Sequence, residues 1–164
     1  MQALMSYPLV LEDYLQLLLQ LIQYSPDIFF ENAAFPMAFR VAIAALTLIH
    51  SDIIFCSLDL IRAVVTHDAL DPADNAPPPK FPSYANAIRQ TINAEGLQLT
   101  GHILAGIVGD FPEESVSTVV TIFRMLAVLW SEELLVWLPQ VLNQLTTPVS
   151  FAQAKHQLLT DVTT

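Results

Sequence analysis

FPEESVSTVVTIFRMLAVLW, residues 111–130, opens on a Phe-Pro pair, passes two glutamates and then runs apolar for most of its length. Val116, Val120, Phe123 and Ala127 recur at the three- and four-residue steps of a helix face. Ile122, Met125 and Leu129 make a second row at the same steps. A helix in a small bundle keeps one face wet, so a helix apolar on both sides is expected to lie between neighbours, with Phe123 internal. The Phe-Pro opening recurs in FPMAFRVAIAALTLI from Phe35 and FPSYANAIRQTI from Phe81. Proline is tolerated in a first helical turn because its missing N–H would have no partner there. The ring before it can fold onto that turn as a hydrophobic staple. The three pairs are unevenly spaced, yet their intervals bracket the period of HEAT-type helix pairs, about 40 to 47 residues.

Working outward, nearly every segment reads as helix. Tyr7 to Tyr24 carries Leu11, Leu15, Leu18 and Ile22 on one stripe, with Leu17 and Leu21 giving a second apolar face. A helix over about 36–49 follows, then one over about 51–66 with Ser51 and Asp52 as N-caps and Ile54, Leu58, Ile61 and Val65 in line. Residues 67–83, HDALDPADNAPPPKFPS, have three Asp and five Pro and form an inter-repeat loop. Helices resume over 84–93 and 94–108, or as one longer element bent near Gly96, then over 112–129, 132–145 and 151–162. Eight helices leave no room for a sheet, which predicts an all-α fold: a HEAT-type superhelix, or solenoid, of antiparallel helix pairs spanning 1–164 as one domain. Phe151, Ala154, Leu158, Leu159 and Val162 give the last helix one apolar stripe, opposed by a polar outer face, as suits a terminal cap. The first helix is apolar on more sides than one neighbour covers. The chain is therefore expected to be the carboxy-terminal piece of a longer protein, able to self-associate through the Tyr7 to Tyr24 helix.

Six basic and sixteen acidic residues give a net charge of −10, spread along the chain, which disfavours nucleic acid and favours basic protein partners. Although 54% of residues are hydrophobic, the charge-free runs are shorter than the about 20 apolar residues of a membrane span or are broken by proline and polar side chains. No membrane association is expected. The single cysteine, Cys56, sits in apolar IIFCSLDL and reads as a buried small side chain rather than a reactive thiol.

Candidate chemistry is sparse. Asp68, Asp71 and Asp74 stand three apart, unlike the alternate positions of a calcium loop, and no glutamate closes the set. The four histidines lie far apart and lack zinc-site spacing. Gly101, Ala105 and Gly106 read as close helix packing. Glu113-Glu114 and Glu132-Glu133 open helices, where negative charge complements the dipole. Together with Asp68, Asp71 and Asp74 they are also the candidate surface for a basic cargo. Trp130 and Trp137, two helical turns apart, read as core. No nucleophile, base and orienter come together, so neither an enzyme nor a cofactor is expected.

From Ile28 onward, SPDIFFENAAFPMAFRVAIAALTLIHSDIIFCSLDLIRAVV, then GLQLTGHILAGIVGDFPEESVSTVVTIFRMLAVLWSEELLVWLPQVLNQL and SFAQAKHQLLTDV resemble the final repeats of the importin-beta superfamily, in its transportin-SR and importin-thirteen branch. The resemblance implies a karyopherin segment: a right-handed superhelix that carries protein cargo through nuclear pores, shuttles between cytoplasm and nucleus, and releases cargo on meeting Ran in its GTP form. The Ran site of such receptors lies in amino-terminal repeats that this chain lacks. The arginine-rich helix that grips phosphorylated cargo is missing too, since Arg40, Arg62, Arg89 and Arg124 are scattered singly. The alternative expectation, from repeats alone, is a HEAT scaffold that holds an assembly together.

Overall fold

The computed structural model describes residues 2–70 and 82–146. Among these every regular element is helical, as expected of an all-α chain: α1 (Gln2–Met5), α2 (Pro8–Tyr24), α3 (Pro26–Phe30), α4 (Phe35–Ala45), α5 (Ser51–Val65), α6 (Pro82–Val108), α7 (Val116–Leu129) and α8 (Ser131–Thr146). Single 3-10 turns stand at Asp68–Leu70 and Glu113–Ser115. The expected helix over 151–162 lies outside the described residues, as do 71–81 of the expected loop. Of that loop's first residues, Leu70 is buried, and its last two, Pro82 and Ser83, already belong to α6.

Proline starts the early helices. α2, α3 and α4 each carry it at the first or second helical position, and none has a side-chain cap. In α5 the N-cap is His50, one residue earlier than expected, so Ser51 and Asp52 are helical and Asp52 lies in the first turn, where its charge suits the dipole. Phe35 is not a staple before the helix but its first residue, with Ala34 as N-cap; its ring lies 6.2 Å from that of Phe39 one turn on, with edge contacts to Phe29 and Phe30 at 5.2 and 5.1 Å. Phe111 is not a staple either. Its ring lies against Gly106 at the end of the preceding helix, and a 3-10 turn separates it from α7. Phe81 lies outside the described residues.

The long helices fall into two rows. α2 packs on α5 and α5 on α7, while α4 packs on α6 and α6 on α8, so successive long helices alternate between rows. Contact between α4 and α5 ties the rows together. Centrally placed, α5 buries Ile53, Ile54, Leu58, Leu60, Ile61, Val64 and Val65, which includes the whole expected stripe. Each such side chain contributes about 1.5 to 3 kcal/mol on leaving water.

Two expectations are settled here. First, of the two readings of 84–108 the single longer element holds: residues 82–108 form one continuous helix, and Gly96 within it is a seat for Trp137 of α8, where a Cβ would overlap the indole. Thr100 Oγ1 donates to the Gly96 carbonyl at 2.7 Å within the same turn. Second, α7 is not internal on two sides. Its buried row is Val119, Ile122 and Leu126, while Phe123 is half-buried and Val116 and Val120 are 45% and 48% exposed. Both tryptophans are core, as expected. Pro139 sits inside α8 on its exposed side, so the carbonyl it cannot serve lies toward solvent.

Candidate functional site

The expected carboxylate surface is not one site. Glu113 and Glu114 are exposed in the turn before α7, and Glu132 and Glu133 stand in the first turn of α8. The 14 residues of α7 separate the pairs, about 21 Å at the helical rise. Asp68 is exposed in the turn after α5; Asp71 and Asp74 lie outside the described residues. Each glutamate pair keeps its place at a helix start, where the dipole favours it. Among the described residues no group of three His, Cys, Asp or Glu is placed to hold a metal ion.

The structure assembles a different site. A groove of about 450 Å³ runs between the turn after α4, the second half of α6, the 109–111 turn and the end of α8. Its walls are largely apolar: Leu46 and Ile49 from one side, Leu97 and Ala105 from α6, Val141 and Leu145 from α8. Gly101, Ala105 and Gly106, which the sequence suggested as close-packing positions, only partly serve that purpose. A Cβ on Gly101 would make ordinary contact with Val141 Cγ2 at 3.7 Å, whereas one on Gly106 would overlap the Phe111 ring. Ala105 stays exposed, and this strip of small side chains leaves a trough. Polar groups mark it sparingly. His102 Nδ1 lies 2.8 Å from the Gln98 carbonyl, which sets the proton on Nδ1 and leaves Nε2 as the acceptor of the neutral ring. Asp110 is the single carboxylate among the lining residues. A groove of this size and polarity suits an amphipathic chain or a small apolar ligand. Its walls come from three stretches far apart in sequence, so no local motif announces it; the small-residue strip on α6 was the one signal.

Elsewhere, Phe29, Phe30, Phe35, His67 and Tyr84 form an aromatic cluster. The His67 ring meets Phe30 edge-on at 4.9 Å, and its Nδ1 accepts from the Ala69 N–H at 3.2 Å. Burial pushes the imidazole pKa down, with partial opposition from Asp68. Across α4 and α6, Arg40 Nε donates to Glu95 Oε1 at 2.5 Å, satisfying a buried carboxylate from a half-exposed guanidinium. Cys56 is half-buried rather than buried. Burial pushes its thiol up despite a 3.9 Å contact from Gln16 Nε2, which keeps it protonated.

Compared with known proteins, the chain matches no family model and no curated protein. Among the described residues no helix is long and apolar enough to cross a membrane.

Proposed function

We propose that this chain is a run of HEAT-type helix pairs within a nuclear transport receptor, and that it binds protein cargo rather than catalysing a reaction. The observation that carries the stack is where apolar surface remains. None of the large apolar residues of α5 is exposed, and α4 exposes only Met37. At one edge of the rows α2 leaves Leu9, Val10 and Leu17 in solvent; at the other, α7 and α8 leave Val116, Val120, Val128, Leu135, Val136 and Leu142. A bundle closed on itself turns such residues inward, whereas a stack of helix pairs buries its middle and leaves apolar surface on its outer helices. The alternation of helices between two rows is also what consecutive antiparallel pairs produce.

The transport role rests on the resemblance to the transportin-SR branch, and the net charge of −10 supports a basic cargo. Ran in its GTP form would act through repeats outside this chain. Binding of Ran loaded with a GTP analogue to the full-length protein, with release of bound cargo, is the test. If Ran does not bind, the transport reading falls and the scaffold reading takes its place.

A further inference from the structure

We propose that the apolar groove between α6, α8 and the turn after α4 is the docking site of the chain's own residues 151–162. Three observations point there. The first is position: Gln144 and Leu145 line the groove, so the last described helix delivers the chain to its rim, with only 147–150 between. The second is pattern. Phe151, Ala154, Leu158, Leu159 and Val162 supply an apolar stripe at helical steps, with Gln153, His156, Gln157 and Thr160 on the far side. Such a stripe has little reason to fold without an apolar surface to cover, and the groove walls Ile49, Leu97 and Leu145 offer one.

The third is charge. Lys155 stands four residues after Phe151 and three before Leu158, so it falls on the apolar stripe and not on the polar face. Docking the stripe therefore carries an ammonium to the groove, where it is costly unless paired. The groove supplies one carboxylate, Asp110, at its edge. Asp161, three residues after Leu158 and seven after Ala154, borders the stripe on its other side, so of the two charges that border the stripe Lys155 is the one Asp110 can pair. The inference stands apart from the transport reading, since it concerns only this chain's own surface.

The test uses the full chain in a Cys56→Ala background, with a nitroxide attached through Gln157→Cys on the polar side of the stripe. Methyl resonances of Leu97, Val141 and Leu145 should broaden, and adding Leu158→Asp should abolish the broadening. Lys155→Glu alone should weaken it, and Lys155→Glu with Asp110→Lys should restore it. Broadening that appears only when nitroxide-bearing chains are mixed with isotope-labelled, untagged ones would mean that a second copy fills the groove, and would overturn the proposal. Unperturbed groove methyls, or broadening that survives Leu158→Asp, would overturn it equally.

Discussion

Gly96 is defined by what its missing side chain makes room for. In a helix interior glycine costs about 1 kcal/mol relative to alanine, so on propensity alone Gly96→Ala should stabilise. Here the added methyl meets a rigid indole held between α6 and α8, and forced overpacking costs about 1 to 3 kcal/mol. Sterics should win: Gly96→Ala is expected to lower the urea midpoint and shift Trp137 fluorescence to the red as the ring is displaced. Ser57 is the converse case. Its Oγ is fully buried in α5 with no hydrogen-bond partner, so Ser57→Ala should raise stability by about 1 kcal/mol, read in the same denaturation. His67 makes stability depend on pH. Because burial lowers its folded pKa, the unfolded chain binds the proton more tightly. Its contribution is therefore present above the ordinary histidine pKa, about 6.5, and lost as pH falls from there to the lower folded value. Protonation also removes the Nδ1 acceptor that holds the Ala69 N–H. Melting temperatures between pH 5 and 8 (the range about the histidine pKa) should fall more steeply on the acid side for the parent than for His67→Gln.

At the scale of elements, α7 separates what periodicity says from what packing selects. Its sequence offers two apolar rows, and the tertiary contacts bury Ile122 from the second together with Val119 and Leu126, which belong to neither. Ile122, which leaves no surface exposed, should cost about 2 to 5 kcal/mol when changed to alanine. Half-buried Phe123 should cost less than Ile122 despite its larger side chain. Parallel denaturation of Ile122→Ala and Phe123→Ala decides the order, and equal or reversed losses would mean that α7 is covered on its second face too. In α2 the outcome differs: Leu11, Leu15, Leu18 and Ile22, read from the sequence as the main stripe, are the buried ones. The contrast has a simple cause. α2 is broken up by Glu12, Asp13, Gln16 and Gln20, which mark its wet side, whereas α7 has one charged residue, Arg124, and too little polarity to orient it.

Taken whole, the molecule leaves apolar residues at the edges of its two rows, and the proposed stack makes α2 a contact surface. Leu9 and Leu17 are 77% and 56% exposed, while Leu21 is half-buried and belongs to the fold. Self-association through α2 is expected to strengthen with salt, because screening removes the repulsion between copies of charge −10 while apolar burial persists. Sedimentation at low and high salt should show this for the parent and not for Leu9→Glu/Leu17→Glu. A chain that stays monomeric throughout would rule out α2 as a self-complementary face.

Helix content, the main α2 and α5 stripes and the buried tryptophans were all legible along the chain, because each is set by spacing within one or two turns. The seating of Trp137 at Gly96 and the orientation of α7 were not. Those depend on which neighbour arrives at a given face: an indole from α8 fills the gap at Gly96, and α5 selects one side of α7. The groove is the extreme case. Three stretches distant in sequence build it, and no residue in it carries the information alone, so only the packing of the rows brings Leu46, Leu97 and Val141 around one space.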